Sequence, residues 1–140
     1  MSLKPLETGF KIACRTIPQI KGPTATHFAS GRCKSILDIL PETKIAIAGV
    51  SGLEDLAELK AISYGKINLL GNLNGIEMRK WDAAEAERKV KEAICKGAKG
   101  GGFILSDNHG EIPYQTPEET ILAISEAVLK WGTYPINIAT

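Results

Sequence analysis

A chain of 140 residues is the length of one domain, and an apolar content of 44% is enough to bury an ordinary core. Seventeen lysines and arginines against sixteen aspartates and glutamates leave a net charge of +1, and no basic cluster gathers on one segment, which excludes a nucleic-acid footprint. Three cysteines without a Cys-x-x-Cys spacing, no secretory leader and no apolar run of membrane-spanning length predict a cytoplasmic chain with reduced thiols and no membrane partner.

The predicted elements alternate along the chain. A first helix is expected near Gly9 to Ile20, interrupted by Pro18. A first short strand follows at Pro23 to Ala29, and a second at Lys44 to Gly49. The next helix, Leu53 to Ser63, has a capping box of Ser51 with Glu54, repeats Leu53, Leu56, Leu59 and Ile62 on one face, and stops at Tyr64-Gly65. A third strand spans Lys66 to Leu70 and runs into the turn formers Gly71-Asn72-Leu73-Asn74-Gly75.

Asp82 with Glu85 opens a helix from Ala83 to Lys96, with Ala86, Val90, Ala93 and Ile94 inward. Its outer face carries the i,i+4 pairs Glu85 with Lys89, Glu87 with Lys91 and Glu92 with Lys96. A fourth strand is expected at Gly102 to Ser106. The last helix, Glu118 to Trp131, is announced by Thr116 with Glu119 and by Pro117 at its first position, with Ile121, Leu122, Ser125, Val128 and Leu129 on the side expected to be buried.

Short, almost wholly apolar strands alternating with helices predict an α/β fold with a parallel sheet and right-handed crossovers. Four such repeats fit a small doubly wound sheet or half of a (β/α)8 barrel, whose full length is about 250 residues. In both architectures chemistry sits at the C-terminal ends of strands. That rim would present His27, Ser30 and Arg32 after the first strand, Asn72 after the third, and Asp107 and His109 after the fourth. His27 and His109 are the only two histidines in the sequence, and an imidazole near neutrality can serve as acid, base or metal ligand. Ser30 to Lys34 reads as an anion site of backbone amides with Arg32 as a carboxylate or phosphate clamp. Cys33 is a candidate ligand or nucleophile. No compact set of three or four zinc ligands is present, and neither the Gly-x-Gly-x-x-Gly nor the Gly-Lys-Ser/Thr phosphate-loop motif occurs.

Five pieces in order then carry a family resemblance: His27-Phe28-Ala29-Ser30-Gly31, Asp55-Leu56-Ala57-Glu58-Leu59-Lys60, Ile67-Asn68-Leu69-Leu70-Gly71-Asn72, Gly101-Gly102-Phe103-Ile104-Leu105-Ser106, and His109-Gly110 followed by Thr116-Pro117-Glu118-Glu119. The whole resembles the C-terminal half of the uroporphyrinogen decarboxylase superfamily, which includes corrinoid-linked methyltransferases. The resemblance implies a single domain over residues 1–140 that forms the last four strands of a (β/α)8 TIM-type barrel, a half-barrel. His109-Gly110 is similar to the decarboxylases' histidine-glycine turn, which lines the porphyrinogen pocket. His27 is similar to the first residue of the methyltransferases' His-x-Cys zinc motif, where zinc activates a thiol that accepts the methyl group. Ala29 stands where that cysteine belongs, and His109 where a further cysteine ligand belongs.

From this resemblance follow the expected functions: methyl transfer to a small-molecule substrate linked to a corrinoid carried by a partner protein, or porphyrinogen decarboxylation with a partner half, or a binding or assembly module without catalysis. His27 and His109 are the expected catalytic residues and the expected ligands of a zinc ion, and Arg32, Ser30, Asn72 and Asp107 the expected substrate-binding residues. The first half of the barrel, with the arginines and aspartate that grip porphyrinogen carboxylates and pyrrole nitrogens, has no match here. A half-barrel leaves two sheet edges open, so a homodimer or a second half-barrel chain is expected.

Overall fold

Near-continuous apolar runs let a strand be covered on both faces, and four short runs of this kind pair side by side in the computed structural model, which describes residues 4–29, 31–108 and 110–138. The strands are β1 (Ala25–His27), β2 (Ile47–Gly49), β3 (Asn68–Leu73) and β4 (Phe103–Asp107). All three pairings are parallel, and the strand order is β1-β2-β3-β4. A doubly wound sheet reverses its order at a switch point; this one does not. Sequential order with crossovers of one hand puts the helices on one face, which is the geometry of a barrel segment.

The helices are α1 (Lys4–Thr16), α2 (Leu56–Ser63), α3 (Gly75–Met78), α4 (Ala83–Gly97) and α5 (Glu118–Trp131), with single 3₁₀ turns at Ile17–Gln19 and Leu40–Thr43. The core lies between helices and sheet. Leu59, Ala86 and Val90 are fully buried there against Ala48 and Leu69. Along β3 burial alternates, with Leu69, Gly71 and Leu73 inward and Asn68, Leu70 and Asn72 less covered. Register aligns His27, Gly49, Leu70 and Ile104 in one row on the less covered face, where Ile104 is 45% exposed.

Several boundaries differ from expectation for local reasons. The first helix ends at Thr16, and Pro18 shapes the 3₁₀ turn that follows rather than interrupting a helix that runs on to Ile20. Lys44 adopts a left-handed φ of 68° as the cap of the second 3₁₀ turn, so β2 starts three residues later. β3 continues through the predicted turn because its ladder with β4 extends to Leu73 opposite Asp107. Gly71 is needed inside that strand: a Cβ there would lie 2.9 Å from the Val50 carbonyl oxygen. Asn74 then caps the short α3, an element the turn signals concealed.

Of the three predicted capping boxes, only that at Asp82 keeps its cap residue, and there the Glu85 carboxylate turns to Arg88 instead of back to the cap. Asp82 accepts from the Glu85 amide at 2.8 Å. Ser51 accepts from Leu53 N instead, and Asp55 caps α2 by accepting from Ala57 N and Glu58 N. Pro117 occupies the cap of α5, and the buried Thr116 hydroxyl has no hydrogen-bond partner among the described residues.

Helix α5 turns the opposite way from its prediction. It buries Thr120 and Ala127, with Ala123, Ile124 and Trp131 also packed on the core, and leaves Leu122 57% and Leu129 77% exposed. Small residues at Ala123 and Ala127 allow close approach to α4, where Glu87 pairs with Lys130 and Trp131 rather than with Lys91. Of the other two expected pairs, Glu92 with Lys96 closes to 3.0 Å and Glu85 with Lys89 to 4.0 Å. At the bottom of the sheet, the nearly buried Lys60 ammonium donates to the Gly101 carbonyl and ties α2 to the loop before β4; burial holds its pKa below the ordinary value.

Candidate functional site

His27 is the last residue of β1, and three neighbours fix its ring. Its Nδ1 accepts from the Ala29 backbone N–H at 2.9 Å. Its Cδ2 edge lies over Gly49, the residue opposite it on β2, where a Cβ would sit 2.6 Å away. Its Cε1 and Nε2 edge points towards Gly110 in the turn after β4, within about 4 Å of where a Cβ on that residue would be. The imidazole therefore lies flat across the mouth of the sheet, from β1 over β2 towards the β4 turn.

The β4 turn is held by Asp107 and Asn108. Asp107 Oδ2 accepts from Gly110 N at 2.7 Å, and Ser106 Oγ reaches Oδ1 at 3.5 Å. Asn108 is 2% exposed; its backbone N–H donates to Leu73 O at 2.8 Å, and its Oδ1 accepts from Gly75 N at 3.4 Å. The β3 and β4 ends are thereby stitched together. A buried asparagine bonded on both sides specifies one loop conformation.

Arg32 and Asn72 lie elsewhere on the rim. The Glu54 carboxylate accepts from Cys33 N at 2.8 Å and from Lys34 N at 2.9 Å. The amides expected to bind an external anion thus hold an internal one, and residues 34–39 form turns rather than a helix start. Lys34 pairs with Glu58 at 2.6 Å, while Arg32 lines an open groove with Ser35, Asp38 and Ile62. Asn72 sits at the mouth, but its amide donates to Ser51 O at 3.3 Å and Glu54 O at 3.4 Å, bracing the loop before α2. Cys33 is fully buried, and burial together with Glu54 pushes its thiol up to about 12, which removes it as nucleophile or ready ligand.

The structure therefore brings His27 to the Asp107–Gly110 turn, and groups Asn72 with Glu54 and Ser51. Ser30 and His109 lie outside the described residues. Glu54 and Asn108 were missed by sequence reasoning. Local spacing assigns Glu54 to a capping box, whereas its partners Cys33 and Lys34 lie about 20 residues away, beyond the reach of such rules. Asn108 carries no local signal that separates it from an ordinary turn former beside Asp107.

Zinc does not fit the donors among the described residues. No three His, Cys, Asp or Glu side chains there are close enough to hold a metal ion, Ala29 has no donor, and His27 has its Nδ1 committed to a backbone N–H. Among the described residues, no helix is long and apolar enough to cross a membrane.

Four sequential parallel strands with helices on one face and a polar rim at their C-terminal ends define one half of a TIM-type (β/α)8 barrel. The sequence matches the profile of the uroporphyrinogen decarboxylase (URO-D) family over residues 9–131, and the chain belongs to that family. Among solved structures it is similar to a methyltransferase from Methanosarcina mazei, with a TM-score of 0.78 at 18% identity, over 95% of this chain and 39% of that one. It thus spans well under half the length of that relative. A search of curated proteins found no match.

Proposed function

We propose that this chain is one half of a (β/α)8 protein of methyl-transfer type, whose rim around His27 orients the methyl acceptor. The observation that supports this reading is the fixed imidazole: bonded at Nδ1, seated on Gly49, and with its Nε2 edge turned towards Gly110 after β4. Pre-orientation of one polar group at the strand ends is what a barrel rim contributes to catalysis. Asp107 shapes the turn that faces it, and Glu54 with Asn72 keeps the adjacent loop in place. A corrinoid carried by a partner protein would supply a methyl group open to displacement by a nucleophilic acceptor. This chain's share is to hold that acceptor, and a second half, from another copy or a separate half-barrel chain, would complete the opposite rim.

The test is demethylation of methylcobalamin by a small thiol, followed by absorbance. The wild-type chain should accelerate thiol methylation over buffer, and His27→Ala should lower that acceleration at least tenfold with an unchanged circular dichroism spectrum. A wild-type rate equal to buffer would overturn the methyl-transfer reading. One observation favours a second reading, a binding module without catalysis: Ala29 provides no thiolate where the methyltransferases' motif has one. Retained affinity for the thiol without acceleration is the outcome that reading expects.

A further inference from the structure

We infer that His27 is a hydrogen-bond donor to a substrate oxygen, through a protonated Nε2, and not a metal ligand; the inference rests on the rim being the site proposed above. A neutral imidazole has one N–H and one lone pair, on different nitrogens. The Ala29 N–H, 2.9 Å from Nδ1, occupies the lone pair, so the ring proton is on Nε2. A histidine that ligates a metal normally shows the reverse, with the distal nitrogen donating its N–H to a carbonyl or carboxylate and the lone pair aimed at the ion. For Nε2 of His27 to ligate, Nδ1 would have to carry the proton, and two N–H groups would then face each other across 2.9 Å.

Turning the ring over does not resolve this. It would put carbon where the Ala29 N–H now finds nitrogen and leave that donor without its acceptor. Gly49 lets the ring lie flat against β2, and the Nε2 edge is thereby directed across the mouth. Ala29 offers no donor two residues on, and the described residues gather no triad of ligands. What remains is a directed, neutral N–H at the strand ends, suited to an oxygen acceptor.

Long-range ¹H–¹⁵N correlation on the labelled chain, at mildly alkaline pH, reads the tautomer without any turnover, so a chain that transfers no methyl group still answers the question. His27 should show the Nε2–H form, and Zn²⁺ alone should leave its ring resonances in place and bind wild type and His27→Ala equally. Acetate, as the simplest carboxylate, should shift the His27 Nε2 and Gly110 amide resonances saturably, and the Gly110 shift should be lost in His27→Ala. An Nδ1–H tautomer, a stoichiometric Zn²⁺ affinity lost in His27→Ala, or no acetate response would each overturn the inference.

Discussion

Gly49 shows how much a single missing atom contributes to the rim. A Cβ at that position would fall 2.6 Å from His27 Cδ2 and 3.3 Å from His27 Cα, so Gly49→Ala should push the imidazole off the sheet. The Ala29 amide would lose its acceptor, and its hydrogen exchange should accelerate; unchanged protection at Ala29 would show that the ring does not depend on the glycine. Cys33 makes the opposite case, a reactive group made inert. Its folded pKa of about 12 lies above the ordinary 9.0, so stability is complete below pH 9 and falls as pH rises between those values, because only the unfolded thiol ionises. In native protein at neutral pH a thiol reagent should modify Cys14 and Cys95, which are partly exposed, and spare Cys33. Of the rim residues, His27 was legible as a position because a rare titratable side chain closed a short strand. Asn72 was legible as a position but not as a role, since its bonds run to carbonyls of a loop distant in sequence.

At the scale of elements, α2 begins one turn later than its sequence pattern predicts because a better cap exists. Asp55 accepts two amides of the first turn and meets Lys96 of α4 at 3.0 Å, joining cap and helix packing in one side chain. The bond from Lys96, then that from the Glu58 amide, holds its carboxyl below the ordinary value of 3.8. A depressed folded pKa means that this stability is present above the unfolded value and lost as pH falls through the folded one, so it belongs to the acid limb below about pH 4. Asp55→Ala should cost about 1 kcal/mol at neutral pH and flatten that limb, as read by urea melts at several pH values. An unaltered acid limb would separate the cap from the pH response. Helix and strand identities were readable because period and glycine punctuation are local. The burial face of α5 was not, because it depends on which side α4 occupies: Ala123 and Ala127 pack inward, and Leu122 and Leu129, the stronger apolar signal, face out.

For the whole molecule, those outward leucines and the exposed Ile104 tell the same story as the two sheet edges. Parallel sheets are normally covered on both faces, and here β1 and β4 are edge strands beside a face that is only partly covered. Light scattering is therefore expected to give twice the chain mass of 15.1 kDa, with β4 of one copy beside β1 of the other and His27 completed by the partner's rim. A stable monomer would overturn the pairing of two identical halves and leave a separate half-barrel chain as the completing partner. Repeat length left a small doubly wound sheet and half a barrel both open, the family resemblance implied the half-barrel, and strand order decided between the two topologies.

The same strand order also bears on how the chain folds. Each strand pairs with the next one made, as Ala25 does with Ile47, Ile47 with Asn68 and Leu69 with Phe103, so each closure spans only roughly 20 to 35 residues. A complete single-chain barrel must also join its first strand to its last, which is its longest-range and slowest contact. Were the two halves separate chains, that step would become an encounter between preformed surfaces, and its rate would depend on protein concentration rather than on chain entropy.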